Sequence, residues 1–385
     1  MKLMTRKKVL ITIDWFLPGT NSGGPVRSYE NLLDHFSEDH DFYVITRNTD
    51  YCDNKPYETV LSDSWNTVKK NLKVYYISND KLRFNTIKKI CLSIKFDIVL
   101  INGVYSWYFS ILPLWIFKFL KAKKIVSPRG MLNSQAFSTN KIKKVIFLKI
   151  ARLINLYGNV FFHATNEDEA SNIKILLKKN NIIIAPNLPR INNNKVLTKI
   201  SKKSGHVKLI YTARISKEKG TLFAIRCLNM LILSSDTKIE FDLFGAIYDN
   251  DYWLECQNQI KKLPSNIIVK YKGLADSEMI PTILEHYHFL LLPSEGENFG
   301  HSILESFTAG RPALISNNTP WKNLELKKVG WDVSLENIDD LRLAITKTVE
   351  IDQNKYDILS KNAFDFATNF CNNKKFISQN ERLFD

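Results

Sequence analysis

Between Pro293 and Phe307 the chain reads PSEGENFGHSILESF, which sets three glutamates, one histidine and a Phe-Gly pair where an apolar run gives way to an amphipathic one. Carboxylates accept several hydrogen bonds at once, so glutamates at fixed spacing suit the reading of hydroxyl groups. The run FLLLPS predicts a buried strand ending at Ser294. The pattern after it predicts a helix from near Phe299 to a stop at Gly310-Arg311-Pro312. Glu297 then lies in the loop and Glu305 inside the helix, eight residues later, a rise of about 12 Å. First-turn N–H groups near Phe299, Gly300 and His301 favour negative charge between the two. Such a segment can read hydroxyls at both ends of an extended ligand and hold phosphate in the middle. Glu295 is expected to be solvated.

Two further segments could face an anion. In TARISKEKG (Thr212–Gly220), Arg214 and Lys219 straddle a short loop that opens another helix. Arg offers a planar fork and Lys a compact charge, a pairing suited to a diphosphate. The same Lys217-Glu218-Lys219 run also reads as solvated charge. In DWFLPGTNSGGPVRSYENLLDHF, Gly23-Gly24 lies between a strand and a helix starting near Pro25. A glycine pair there lets backbone N–H groups approach an anion, or forms an ordinary turn. No Gly-Lys-Ser/Thr follows, so it is no Walker loop.

The elements that must position these loops are short runs rich in Val, Ile and Phe, each followed by a helical pattern. VLITI, FYVIT, VYYIS, DIVLI, KIVS, VFFHA and IIIAP precede a polar link, Leu188–His206. KLIYTA, EFDLFG, IIVKYKG, FLLLPS and PALIS follow it. Continuous rather than alternating apolar runs predict strands buried on both faces of parallel sheets. The expected architecture is α/β: two successive Rossmann-like, doubly wound domains, residues 1–190 and 191–365, with a C-terminal helix over 366–385 packing back toward the first. Ligands in such sheets sit beyond the carboxyl ends of the strands, where all three polar segments fall.

The charge is lopsided. Residues 1–200 carry 31 Lys and Arg against 15 Asp and Glu, a net of +16, while residues 201–385 net −1. An anionic partner is therefore expected for the first half. No nucleic-acid motif accompanies the charge, so an anionic membrane surface is expected and nucleic acid is not. KIKKVIFLKIARLINLY (Lys141–Tyr157) is basic and amphipathic, and reads either as a membrane-surface helix or as one docked on the core. The apolar stretch Gly103–Leu120 is broken by Pro113, Lys118 and several hydroxyls, and predicts a buried or interface-lying helix rather than a span. The five scattered cysteines form no disulfide or zinc pattern, and the N-terminus lacks a signal-peptide core. Both features fit a cytoplasmic chain.

Glu297 and Glu305 make a Glu-x7-Glu motif within PSEGENFGHSILESFTAGRPAL. This resembles the signature of retaining glycosyltransferases of family 4, which have the GT-B fold, two Rossmann-like domains facing across a central cleft. Gly23-Gly24 with Arg27 resembles that family's N-terminal glycine loop, ARISKEKG its phosphate loop, and APNL (Ala185–Leu188) its hinge. SPRGMLNSQAF and HATNEDEA match segments flanking the acceptor. The resemblance implies three catalytic residues, Glu297, Arg214 and Lys219. Glu297 would bind donor-sugar hydroxyls and Glu305 the ribose, while Arg214 and Lys219 hold the pyrophosphate. Gly23, Gly24, Asn298, Phe299, Gly300 and His301 would line the donor site, with Gly245 and Leu274 bordering the base. Arg27, Arg129 and His163 would face the acceptor. A UDP- or GDP-sugar is the implied donor, with no cofactor and no metal, and no Asp-x-Asp loop is present.

By the same resemblance, the reaction would extend a surface polysaccharide (O-antigen, capsule or exopolysaccharide) on an undecaprenyl-diphosphate-linked glycan. The protein would work from the cytoplasm, at the inner face of the cell membrane. Arg129 stands where many relatives have histidine and cannot act as a base near neutral pH. The general base stays unassigned, as do the sugar, the nucleotide, the linkage and the oligomeric state. Two other readings stay open: a GT-B sugar-nucleotide epimerase, and a non-catalytic partner in an assembly complex.

Overall fold

The computed structural model describes residues 6–133, 141–191 and 196–385. The chain divides into two compact units, Met1–Ile191 with Asn373–Asp385, and Asn192–Asn372.

The first unit is built on an eight-stranded sheet. Its strands are β1 (Lys8–Thr12), β2 (Asp41–Arg47), β3 (Trp65–Lys69), β4 (Leu72–Ile77), β5 (Ile98–Asn102), β6 (Lys123–Ser127), β7 (Phe161–Ala164) and β8 (Ile182–Ile184), in the spatial order 3-4-2-1-5-6-7-8. Every pairing is parallel except β3 with β4. The central strands are apolar on both faces because helices cover both, and Val9, Leu10, Ile11, Val99, Leu100 and Ile101 are at most 1% exposed. The C-terminal helix Lys374–Glu381 belongs to this unit: Phe384 stacks on Phe36 at 4.9 Å, and Asn380 donates to the Pro186 carbonyl at 2.9 Å. The helix expected from 366 starts later, since residues up to Cys371 continue the long helix Gln353–Cys371 of the second unit.

In the second unit a six-stranded, all-parallel sheet carries β9 (His206–Thr212), β10 (Lys238–Phe244), β11 (Ile267–Gly273), β12 (Phe289–Leu292), β13 (Ala313–Ser316) and β14 (Gly330–Val333). Their order is 11-10-9-12-13-14. Numbered within the unit this is 3-2-1-4-5-6, the doubly wound order whose direction of winding reverses between β9 and β12. The chain after each of these two strands therefore opens onto the same crevice.

The expected single helix across Gly103–Leu120 is instead a wide turn at Trp107–Ile111 followed by a short helix, Leu112–Ile116. Ser106 caps the turn by accepting from the Phe109 N–H, and Pro113 is tolerated because it falls in the helix's first turn. No described helix is long and apolar enough to cross a membrane. The basic helix runs over Lys141–Leu153, four residues shorter at its end than expected.

Candidate functional site

The loop after β9 and the loop after β12 are stitched together at the reversal point. Glu295 N–H and the Ser294 hydroxyl both donate to the Glu218 carbonyl, at 2.8 and 3.1 Å. Ser302 Oγ donates to the Thr212 carbonyl at 2.6 Å, fixing the next helix to the end of β9. Gly220 makes this approach possible. Its backbone is left-handed (φ 72°), and a Cβ there would stand 2.0 Å from the Pro293 carbonyl oxygen.

These contacts bring Lys219 and Glu297 together across 78 residues of sequence, with Lys219 Nζ 2.6 Å from Glu297 Oε1. Both side chains are largely shielded, at 18% and 12% exposure. Arg214 lies half-buried on the same loop, and its carbonyl accepts from the Tyr211 hydroxyl at 2.7 Å. Tyr211 in turn accepts from Thr221 Oγ1 at 2.8 Å. Burial raises the Glu218 carboxyl, but hydrogen bonds from its own backbone and Ser216, with Arg214 and Lys219 nearby, carry it below its ordinary range. The loop is therefore dense in fixed charge. Arg214 and Lys219 both lie near the Glu218 carboxyl, and Lys219 pairs with Glu297.

The helix after β12 starts at His301, with left-handed Gly300 (φ 78°) before it, two residues later than expected. Only His301 to Glu305 is helical in the Glu-x7-Glu stretch, so the uniform 12 Å rise does not apply. The left-handed residue turns the chain before the helix begins, and sequence periodicity does not register that turn. His301 and Glu305, four residues apart and both half-buried, share one helix face. Trp321 Nε1 donates to the Phe299 carbonyl at 2.6 Å, and the Phe299 and His301 rings lie 4.7 Å apart. Asn298 is half-buried and Glu295 is exposed.

On the other flank, Gly245 N–H donates to the Gly273 carbonyl at 2.9 Å, and Tyr271 donates to the Gly245 carbonyl. A Cβ at Gly245 would lie 1.8 Å from the Ala213 carbonyl oxygen, so glycine is required where this loop crosses the end of β9. Leu274 is 63% exposed beside it. Arg214, Lys219, Gly245, Leu274, Glu297, Asn298, Phe299, Gly300, His301 and Glu305 thus all sit on loops or helix starts at the carboxyl edge of one sheet.

The remaining expected residues belong to the first unit. The helix Gly24–Phe36 has Pro25 in its first turn and Gly23 at φ 76° before it, and a Cβ at Gly23 or Gly24 would meet nothing within 4 Å. Arg27 pairs with Glu30 at 3.1 Å. Arg129, in left-handed backbone (φ 52°), donates to Asn187 and lies over the Tyr29 ring at 4.8 Å, while its Nε is buried without a partner. His163 is buried. One ring nitrogen lies 3.1 Å from Ser127 Oγ and the other donates to the Ala185 carbonyl at 2.8 Å. Burial, then the nearby Arg129 charge, pushes its pKa down to about 3. The ring is a neutral, buried brace between Ser127 of β6 and Ala185 just after β8. The last residues of SPRGMLNSQAF, from 134 on, lie outside the described residues.

Sequence reasoning passed over Asp14, which ends β1 where the first sheet also reverses, next to β5. Ser106 Oγ donates to it at 2.8 Å, Arg47 lies 3.9 Å away, and burial raises its pKa. An acidic residue directly after the first strand, VLITID, was the available signal. Tyr211 carried none, because its role depends on a turn that brings Arg214 back onto it. Among the described residues, no group of three or more His, Cys, Asp or Glu is placed to hold a metal ion.

Residues 193–366 match the family model described as glycosyl transferases group 1. A capsule-region protein of Klebsiella pneumoniae, described as an uncharacterized 41.2 kDa protein, is 22% identical over 312 residues, spanning 77% of this chain and 79% of that one. Among solved structures, HepE of Anabaena, crystallised with UDP and glucose, is 16% identical with a TM-score of 0.69, covering 98% of both chains. WaaG, a glycosyltransferase involved in lipopolysaccharide biosynthesis, is 13% identical with a TM-score of 0.65, covering 97% of this chain and 98% of its own. At these identities the likeness is one of fold, and that fold is GT-B.

Proposed function

Because its second unit carries a glycosyl transferases group 1 domain, we propose that this chain is a retaining transferase of family 4 type. It would move a sugar from a nucleotide sugar to a glycan acceptor in surface-polysaccharide synthesis. The observation that carries the reading is the Lys219–Glu297 pair at the reversal point of the second sheet, with Arg214 on the same loop as Lys219. HepE was crystallised with UDP at a like fold, which supports a nucleoside diphosphate here.

In this proposal Arg214 and Lys219 hold the pyrophosphate and take up the charge that develops as the bond from phosphate oxygen to anomeric carbon breaks. Fixed cations in a shielded loop do this without reorganising, which is where electrostatic stabilisation is most effective. Glu297 accepts from sugar hydroxyls and Glu305 from the ribose. The backbone at Phe299 and Gly300 faces phosphate. Gly245 and Leu274 border the base. Lys219 pairs with Glu297 in the structure, and in this proposal donor phosphate takes over the Lys219 contact. No metal is assigned, because two cationic side chains already provide the positive charge.

Arg27 and Arg129 are assigned to the acceptor, which we take to be an undecaprenyl-diphosphate-linked glycan presented at the cytoplasmic side of the membrane. The half-satisfied Arg129 guanidinium suits an anionic group there. The test is a panel of UDP- and GDP-sugars, first for thermal stabilisation, then for release of nucleoside diphosphate with membrane extracts as acceptor. One donor should stabilise the protein and be consumed. Stabilisation by none, at millimolar concentrations, would refute the reading.

A further inference from the structure

The helix Lys141–Leu153 carries an apolar stripe on its outer side. Ile142, Ile146, Ile150 and Leu153 are 77%, 51%, 53% and 85% exposed. At helical spacing they fall within about a quarter of the circumference, opposite Leu148 and Ala151, which are buried in the core. A helix on the surface of a globular domain ordinarily turns only its inner face apolar. Here the inner face is satisfied and a second apolar face is left in water.

The stripe does not end with the helix. Ile154 continues it, half exposed, and its carbonyl accepts from Lys118 Nζ at 3.5 Å. That contact sets the end of the helix beside the segment that holds Trp115 and Phe119, which are 55% and 89% exposed. The segments that form this face are basic. From residue 98 to residue 166 there are ten Lys and Arg and no Asp or Glu. Among the described residues, Lys118, Lys121, Lys141, Lys143, Lys149 and Arg152 form no ion pair.

We infer that this face, from Trp115 and Phe119 along the outer stripe of Lys141–Leu153, docks on an anionic lipid surface. The isoleucines and aromatic rings would enter the acyl boundary while the lysines meet headgroup phosphates. An apolar strip bordered by unpaired cations is the pattern that lies in a membrane interface, and an exposed tryptophan suits the headgroup level. A second copy of the chain would bring the same cations against one another, a repulsion that the lipid surface lacks. Nucleic acid would leave the isoleucines in water. The inference deepens the membrane-side acceptor reading above, but its test needs neither donor nor acceptor.

The test is sedimentation of the full-length protein with vesicles of phosphatidylglycerol and phosphatidylcholine, against phosphatidylcholine alone. The protein should partition to the anionic vesicles and release in high salt. Ile146→Ser with Ile150→Ser should lower partitioning about tenfold or more, since each such side chain buried contributes on that order. Lys141→Glu, Lys143→Glu and Lys149→Glu together should do the same. Both variants should melt with the parent and keep its affinity for nucleoside diphosphate, because these side chains point away from the core. Equal partitioning of parent and variants, or of the parent to neutral and anionic vesicles, would overturn the inference. So would a dimer in sedimentation velocity that the isoleucine variant abolishes, which would assign the face to a second copy. Loss of vesicle binding leaves the transferase reading intact, and absence of transfer leaves the docking face intact.

Discussion

Replacing Gly220 by alanine tests whether the site depends on the close passage of its two loops. The new Cβ would lie 2.0 Å from the Pro293 carbonyl oxygen and 2.8 Å from its carbon, whereas carbon and carbonyl oxygen rest at about 3.3 Å even in weak C–H···O contact. The loops must therefore part by about 1.3 Å. The left-handed backbone costs an L residue about 1–2 kcal/mol, and overpacking adds about 1–3 kcal/mol. A loss of about 2–5 kcal/mol leaves most domains folded. Catalysis should suffer together with stability, since Lys219 and the Glu218 carbonyl that binds Glu295 and Ser294 move with the loop. A displacement near 1 Å costs on the order of 100-fold. Gly205→Ala is the matched control, because Gly205 is also left-handed (φ 85°) but its nearest neighbour would be 3.8 Å away. Donor turnover and urea denaturation of the pair should show a lesion in stability alone at 205 and in both properties at 220. Equal activity in the two variants would refute the reasoning.

Three further outcomes are expected. Tyr211→Phe removes the donor to the Arg214 carbonyl, so it should cost about 1–2 kcal/mol of stability and lower nucleoside diphosphate affinity several-fold by calorimetry. Burial pushes His288 down to about 4, aided by the Lys202, Lys208 and Arg311 charges. Since the unfolded chain takes up this proton first, stability should fall as pH drops from about 6.5 to 4, by about 1 kcal/mol per pH unit. His288→Gln, compared by denaturation at pH 7 and 5, should flatten that slope. The vesicle-docking face supplies the third outcome, through the isoleucine and lysine variants already described.

The parallel framework was legible because its strands are short, apolar on both faces and separated by helical patterns. All twelve expected runs form strands. The two that escaped have physical reasons. β3 is a half-exposed antiparallel edge, so WNTVK carries no buried run, and GWDV of β14 is only four residues long with one polar side chain. The carboxylates and cations of the site were legible by type and by position after strands. Their pairing was not, because Lys219 meets Glu297 only where Gly220 lets the loop pass Pro293, and no local pattern encodes contact across 78 residues. The placement of His163 was not legible for a related reason: a lone histidine within a strand run looks the same in sequence whether its ring turns outward or braces Ser127 and Ala185.

The central claim is that a nucleotide sugar lies at the reversal point of the second sheet, with Glu305 on its ribose and Glu297 on its sugar. The most direct measurement is calorimetric titration of nucleoside diphosphate into the parent, Glu305→Ala and Glu297→Ala, paired with the rate of sugar transfer. Glu305→Ala should weaken binding about tenfold to a hundredfold, the worth of one or two hydrogen bonds to a charged acceptor. Glu297→Ala should bind nearly as the parent does and transfer far more slowly. Equal affinity in all three proteins would contradict the assignment.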